Sequence, residues 1–166
     1  GNLGNILDFE NLTKDNIYVL ESPILSNSQF EKFTVFFKDS LKVLDCTFDV
    51  QTNLKKRLDQ LCSEAEIAVR EGCKHLILSD KKISEKKTAI PMILAFGAIN
   101  SKLVNLGIRG FASINVQTGE ILDTHSFAVL LGIGATIVNP YLAFDSIYQR
   151  YEKKLFGKFN YEECIQ

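Results

Sequence analysis

The sequence has few residues that bind metals, and those it has are widely separated. They are four cysteines and two histidines, namely Cys46, Cys62, Cys73, Cys164, His75 and His125. No two cysteines form a Cys-x-x-Cys pair, and the histidines are 50 residues apart. Because zinc and iron–sulfur sites usually take closely spaced ligands, the sequence predicts free thiols and no metal centre. Free thiols are typical of a reducing compartment, so the cytoplasm is the expected location.

Long apolar runs and an excess of charge of one sign are also missing. No segment is apolar over the length that a bilayer requires, and no signal peptide is recognisable, so no membrane partner is expected. With 19 basic and 20 acidic side chains, the net charge is −1. Such a chain has no global field that attracts nucleic acid, and we expect no nucleic-acid partner. A hydrophobic fraction of 46% over 166 residues is enough for one globular domain with a core.

Strand and helix patterns alternate along the chain from residue 41 onward. Four apolar stretches predict strands, at residues 41–50, 75–78, 111–116 and 136–138. Each is followed by apolar residues at helical spacings of three and four, over 54–69, 92–106, 126–131 and 141–156. The second of these helices is apolar nearly all round its first half, which predicts burial. We expect an α/β fold with a mainly parallel sheet, either open or resembling half of a (β/α)₈ barrel.

The first 40 residues differ in character from the rest. Residues 1–16 are polar and rich in turn formers, which predicts an extended arm lying on the molecule. Ser26 or Asn27 is expected to cap a short helix that follows. We therefore interpret residues 1–40 as an N-terminal arm and short helix, packed on an α/β domain of residues 41–166. The whole chain is interpreted as a single domain and as a fragment of a larger multidomain enzyme.

Polar residues follow the predicted strands at their carboxyl ends, where parallel sheets hold ligands. They are Thr47, Asp49, Ser79, Asp80, Gln117, Thr118 and Asn139. All are residue types that cap helices or form turns, and this structural interpretation is favoured. Asp80, Lys81 and Lys82 are the candidates for a site that binds an anionic ligand. The competing interpretation is a solvated loop, because Glu85 dilutes the positive charge.

Two other features are interpreted as structural. Gly132 and Gly134 resemble a phosphate-binding loop, but such a loop follows a strand and precedes a helix, and here the order is reversed. A turn that ends a helix is predicted instead. His125 lies among apolar residues, with no serine or cysteine nucleophile arranged for a triad, so a packing role is predicted. The residues by themselves therefore predict no catalytic group.

Seven segments carry a family resemblance, in the family's order along the chain. They are GNILD at 4–8, ESPILS at 21–26, LDCTF at 44–48, LILSD at 76–80, AIP at 89–91, HSFAVLLGIGA at 125–135 and NPYLAF at 139–144. Each is weak alone, but the ordered set resembles the central domain of the glutamate synthase large subunit. The chain departs from the family at residues 99–102 and at Thr124, where the family often has histidines.

The resemblance implies a role within a larger enzyme that converts glutamine and 2-oxoglutarate to two glutamates with reducing equivalents. It implies FMN and a 3Fe-4S cluster in that parent and no cofactor in this domain. The partners implied are the amidotransferase and FMN-binding synthase domains of the same chain, with a small electron-donating subunit or ferredoxin. The central domain would separate the two catalytic domains and line the ammonia tunnel, without catalysis of its own. The alternative left open is a small α/β module that binds an anionic ligand at the carboxyl ends of the strands.

The spacer role also leads to an expectation about the solvent exposure of four phenylalanines in the region of the first helix. Phe30, Phe33, Phe36 and Phe37 are too closely spaced for a single helix to bury all of them against one surface. If neighbouring domains pack on this region, at least one ring is expected to be exposed to solvent in the chain alone.

Overall fold

The computed structural model describes residues 18–165. The helices in this range are α1 (Asn27–Phe36), α2 (Leu54–Arg70), α3 (Met92–Asn105), α4 (Thr124–Gly132), α5 (Tyr141–Glu152) and α6 (Tyr161–Cys164). The strands are β1 (Leu41–Asp45), β2 (Thr47–Asp49), β3 (His75–Ser79), β4 (Lys87–Ala89), β5 (Ser113–Gln117) and β6 (Ile137–Asn139). The arm expected over residues 1–16 lies outside the described residues, and the division after residue 40 stays a prediction.

Four of the strands form one parallel sheet in the order β1-β3-β5-β6. This confirms the predicted α/β fold. Each strand pairs with the next parallel strand along the chain, so the strand order does not reverse. Successive right-handed crossovers of this kind place their helices on one face, as in part of a (β/α)₈ barrel. Doubly wound sheets bind ligands where the order reverses, and the four parallel strands described here offer no such crevice.

The stretch at residues 41–50, predicted as one strand, is two strands in different sheets. β1 ends at Asp45, and β2 pairs with β4 in a separate antiparallel sheet. The break has a local cause, because the Asp45 carboxylate accepts bonds from the Thr47 amide and hydroxyl at 3.0 and 2.7 Å. The amide of Cys46, between them, still donates to the Ser79 carbonyl at 2.8 Å. The prediction of a single strand is therefore wrong.

The main hydrophobic core lies on the face of the sheet that the crossover helices cover. Strands β3 and β5 contribute Leu76, Leu78, Ile114 and Val116, all fully buried. The helices contribute residues that are equally buried, among them Leu61 and Ala65 of α2, Phe96 and Ile99 of α3, and Leu130 of α4. Burial of each large side chain contributes roughly 1.5–3 kcal/mol, so this face supplies most of the hydrophobic stabilisation. None of the helices in residues 18–165 is long and apolar enough to cross a membrane.

The opposite face of the sheet is covered by α1. The Ser26 hydroxyl accepts a bond from the Gln29 amide at 3.3 Å, and the Gln29 side chain accepts one from the Ser26 amide at 2.9 Å. This capping box confirms the predicted helix start. Phe30 and Phe33 of α1 then pack with Ile77 of β3 in a second, smaller core. The helix therefore closes the face that the crossovers leave open.

The exposure of the phenylalanines in this region follows the expectation for a spacer. Phe30 and Phe33 are 3% and 2% exposed, because they face the sheet. Phe36 points away from the sheet and is 50% exposed. Its ring centroid lies 5.2 Å from that of Tyr18 and 4.8 Å from that of Phe37, at the rim of the aromatic cluster. The expectation that at least one ring is exposed is confirmed.

Helix α3 is buried on one side only, which corrects the expectation for its first half. Met92, Ala95 and Phe96 are buried against the sheet and α2, whereas Ile93 and Leu94 are 49% and 43% exposed. The apolar composition of this half therefore reflects two surfaces, one inside the domain and one on the outside.

The two edges of the parallel sheet are protected in different ways. Beside β6, the Leu25 amide donates to the Val138 carbonyl at 3.0 Å, and the Val138 amide donates to the Pro23 carbonyl at 2.9 Å. Beside β1, the Arg57 guanidinium of α2 donates to the Asp45 carbonyl at 2.6 Å. Unpaired strand edges invite pairing with other chains, and these contacts reduce that tendency.

His75, at the start of β3, makes stability depend on pH. Its side chain is 7% exposed and its ring lies 4.0 Å from the ring of Phe37, centroid to centroid. Burial lowers the pKa of His75 to about 4. In the unfolded chain the imidazole regains its ordinary pKa of about 6.5, so the unfolded state binds the proton first as the pH falls.

We therefore expect the free energy of unfolding to decrease as the pH falls from 6.5 towards 4. The contribution of His75 to this loss is on the order of 3 kcal/mol. Urea denaturation across this range would measure it, with His75→Phe as the comparison, because the phenyl ring keeps the packing and cannot titrate. Parallel pH profiles for the two proteins would contradict the assignment.

Candidate functional site at the carboxyl ends of the strands

Polar side chains at the carboxyl ends of β3, β5 and β6 bond to one another in a continuous row. The Ser79 hydroxyl donates to Gln117 Oε1 at 2.9 Å, and Gln117 Nε2 donates to Asn139 Oδ1 at 3.1 Å. Asn139 Nδ2 donates in turn to the Leu25 carbonyl at 3.0 Å and to Asn27 Oδ1 at 2.9 Å. The row therefore joins three strands to the start of α1. Its donors and acceptors, which could otherwise bind a ligand, are bonded within the protein.

Asp80 is fully buried directly after β3 and bonds to the loop that follows β5. Its carboxylate accepts a bond from the Thr118 hydroxyl at 2.5 Å and from the Gly119 amide at 3.0 Å. The Tyr141 hydroxyl lies nearby, and burial followed by the Asp80 charge raises the pKa of Tyr141 to about 12. Charge-assisted bonds of this kind compensate a buried carboxylate for lost hydration, so Asp80 fastens two loops together.

The lysines beside Asp80 face different surroundings. Lys81 is exposed, with its ammonium group 5.3 Å from the centroid of the Tyr141 ring. The ammonium group of Lys82 lies 3.6 Å from an oxygen of Asp45, and that of Lys87 lies 3.9 Å from the same oxygen. Exposed ion pairs of this length contribute little to stability. Lys82 and Lys87 thus converge on Asp45, whereas Asp80 points into the protein.

The charge at Asp45 is stabilised mainly by its own turn. Burial alone would raise the pKa of Asp45, but the two bonds from Thr47 and the charges of Lys82 and Lys87 hold it below its ordinary value. The carboxylate is therefore ionised at neutral pH and reduces the positive potential around Lys87 and around Lys82, which was a candidate for the anion site.

The glycine turn after α4 has no free amide groups for a phosphate. The amides of Ile133, Gly134 and Ala135 donate to carbonyls of α4 at 3.0 Å each. Gly134 takes a φ of +107°, a conformation that favours glycine and ends the helix. The predicted helix-ending turn is confirmed.

His125 does not pack into the core. It lies in the first turn of α4 and is exposed to solvent, so the predicted packing role is wrong. The hydroxyl of the neighbouring Ser126 interacts with the Asp123 carboxylate at 3.2 Å as part of the helix cap. Asp123 and Ser126 therefore form the cap of α4.

Arg57 has a structural role that the sequence analysis did not predict. Its guanidinium donates to the Asp45 carbonyl at 2.6 Å, to the Thr47 carbonyl at 3.3 Å and to the Glu64 carboxylate at 2.6 Å. It ties α2 to the point where β1 passes into β2. Helical spacing places Arg57 on α2, but nothing in that spacing reveals its partners.

The fold and the bonded carboxyl ends define a small α/β domain whose usual ligand edge is occupied by its own side chains. Over residues 1–166 the chain matches the family described as glutamate synthase central domain. The chain therefore belongs to that family, as the seven segments indicated.

Relatives of known name agree with this membership. The chain is 43% identical over 166 residues to the glutamate synthase (NADPH) large chain of Azospirillum brasilense, covering 98% of this chain and 11% of the relative. It is 36% identical over 146 residues to the protein of the same name from Bacillus subtilis (strain 168), covering 88% and 10%. It is 38% identical over 155 residues to the chloroplastic ferredoxin-dependent glutamate synthase of Oryza sativa subsp. japonica, covering 90% and 10%. The chain thus spans about a tenth of the length of these relatives.

The bonds of Asp80 predict a large difference between two neighbouring substitutions. Asp80→Ala removes the acceptor from the Thr118 hydroxyl and the Gly119 amide and is expected to cost about 3–5 kcal/mol of unfolding free energy. Lys82→Ala removes one long surface ion pair and is expected to cost less than about 0.5 kcal/mol. Urea denaturation of both variants provides the measurement. Similar losses in the two would show that Asp80 does not fasten the loops.

Proposed function

We propose that this chain is the spacer between the catalytic domains of a glutamate synthase large chain. The observation that carries the proposal is the arrangement of side chains at the carboxyl ends of the strands. There the polar side chains bond to one another, while apolar side chains beside them are exposed. A spacer needs surfaces on which neighbouring domains pack, and it needs no catalytic groups.

The apolar side chains near the carboxyl ends form what we call the carboxyl-end surface, defined by Ile93, Leu94 and Leu122. They are 49%, 43% and 72% exposed. The Met92 amide donates to Glu120 Oε2 at 2.8 Å, which holds the segment of Leu122 beside the start of α3. Exposed apolar residues that cluster in this way mark interaction surfaces.

The parent enzyme that we propose converts glutamine and 2-oxoglutarate to two glutamates with reducing equivalents. In it, an amidotransferase domain and an FMN-binding synthase domain would pack on this chain, and the chain would line the tunnel through which ammonia passes. The reducing equivalents would come from a small electron-donating subunit or from ferredoxin, in keeping with the names of the relatives. We also propose a cytoplasmic location, which the four free thiols support.

The cofactors proposed for the parent do not fit the described residues of this chain. A 3Fe-4S cluster needs thiolate ligands, but Cys46 is fully buried and burial raises its pKa to about 12. Within residues 18–165, no three side chains among His, Cys, Asp and Glu are grouped to hold a metal ion. The amides of the glycine turn, which a flavin phosphate would require, already donate to α4. We therefore assign FMN and the cluster to other domains.

The spacer proposal can be tested in the full-length large chain by placing charge on the carboxyl-end surface. Leu94→Lys is expected to lower glutamine-dependent glutamate formation several-fold, while ammonia-dependent formation is retained, because packing of the neighbouring domains is disturbed. Val104→Lys is the matched control, since Val104 is 54% exposed at the other end of the same helix.

Equal effects of the two substitutions would contradict the assignment of this surface. The 166-residue chain by itself is expected to hydrolyse no glutamine and to bind no FMN. Glutaminase or FMN-dependent activity in the purified chain would overturn the spacer proposal.

An anion-binding module is the second candidate function, with Asp80, Lys81 and Lys82 as its predicted residues. It is favoured by the exposure of Lys81, Lys82 and Lys86 in one short loop. It is opposed by the carboxylate of Asp45, to which Lys82 and Lys87 are already close.

Thermal unfolding in the presence of phosphate, flavins or 2-oxo acids separates the two candidates. If the chain is a spacer, we expect no saturable rise in the unfolding temperature with any of these ligands. A saturable rise that Lys81→Ala abolishes and Lys158→Ala preserves would favour the anion-binding module.

A further inference from the structure

Two buried polar atoms on one face of the sheet have no hydrogen-bond partner among residues 18–165. They are His75 Nδ1, on β3, and Asn115 Oδ1, on β5. His75 is 7% exposed and Asn115 is fully buried. A buried polar atom without a partner costs roughly 1–3 kcal/mol, and folded proteins contain few of them.

The two side chains face the same side of neighbouring strands. β3 and β5 are parallel, with His75 paired to Ser113 and Ile77 paired to Asn115. Side chains alternate along a strand, so His75, Ile77, Ser113 and Asn115 all point to the face that α1 covers. His75 and Asn115 therefore stand diagonally across one parallel strand pair, on the same face of the sheet.

The orientation of the Asn115 amide is determined by the backbone of β3. Its Nδ2 group donates to the Leu76 carbonyl at 3.1 Å. In the flipped orientation, two oxygen atoms would face each other at that position, which is repulsive. The oxygen of Asn115 is therefore the atom that needs a donor.

The surroundings of His75 keep its imidazole neutral. The rings of Phe33 and Phe37 lie 5.4 and 4.0 Å from the imidazole, centroid to centroid. Lys74 adjoins it in the chain, and its positive charge also disfavours protonation of the imidazole. A neutral imidazole with its proton on Nε2 has an acceptor at Nδ1.

We propose that a single buried water molecule occupies this position and bridges His75 Nδ1 and Asn115 Oδ1. Water has two hydrogen atoms to donate, which matches the two acceptors, and it is small enough for a site enclosed by aromatic rings. Buried waters typically join groups of this kind and make about three hydrogen bonds. This site does not depend on the proposed function.

A crystal structure of the 166-residue chain tests the site directly. We expect an ordered water within about 2.7–3.2 Å of both His75 Nδ1 and Asn115 Oδ1. A direct bond between the two side chains, a protein group in that position or the absence of ordered density there would overturn the proposal.

A double-mutant cycle tests the same site in solution. His75→Phe and Asn115→Leu each leave the water with one acceptor. Each substitution is therefore expected to lower the unfolding temperature less in the variant that already carries the other substitution than in the unchanged protein. The control cycle combines His75→Phe with Gln117→Leu. Gln117 is on the same strand and the same face as Asn115, but its side chain bonds to Ser79 and Asn139. In this control cycle the changes in unfolding temperature are therefore expected to be additive. Additive shifts in the His75–Asn115 cycle would overturn the proposal.

Discussion

A parallel sheet has to be covered on both faces, and the order of the strands determines how this domain meets that requirement. Each crossover adds the next parallel strand at the same edge of the sheet, and this places every connecting helix on one face. The other face would be left to solvent, with Ile77 and Ile137 on it. Helix α1 covers it, and the polar row from Ser79 to Asn27 fixes the helix in place. The position of α1 thus follows from the topology of the sheet.

The same requirement bears on function. In a closed barrel the carboxyl ends of the strands surround a central site. Here four strands form an open sheet, and the side chains at their ends are used to hold α1 and the loops after β3 and β5. Asp80, the most buried charge of the group, serves the fold. The membership in the central domain family and this use of polar residues are the two findings on which the proposed spacer role rests.

Much of the fold was predictable from the sequence. The four helices after the strands and the cap at Ser26 depend on local spacing and local hydrogen bonds, which a sequence displays. The split of residues 41–50 was not predictable, because it depends on where the Asp45 carboxylate points after β1 has paired. The exposure of His125, Ile93 and Leu94 was missed for a related reason. An apolar stretch does not reveal whether its side chains face the core or the outside of the domain.

The candidate site was predictable in position and not in chemistry. The polar residues after each strand do meet at one edge, as parallel strands require. Whether they bind each other or a ligand depends on distances of a few tenths of an ångström, between residues more than 20 positions apart. The unpaired atoms of His75 and Asn115 depend in the same way on register between strands. The contacts of Arg57 depend on how α2 packs beside the end of β1.

The link between Asn27 and Asn139 has a consequence for synthesis of the chain. These residues are 112 positions apart and bond at 2.9 Å, so the docking surface of α1 is complete only after β6 has formed. During translation the phenylalanines of α1 therefore leave the ribosome long before their partners exist. Until then they remain exposed apolar surface, which chaperones bind and which favours aggregation. The yield of folded protein should therefore depend on how quickly the last third of the domain follows the first.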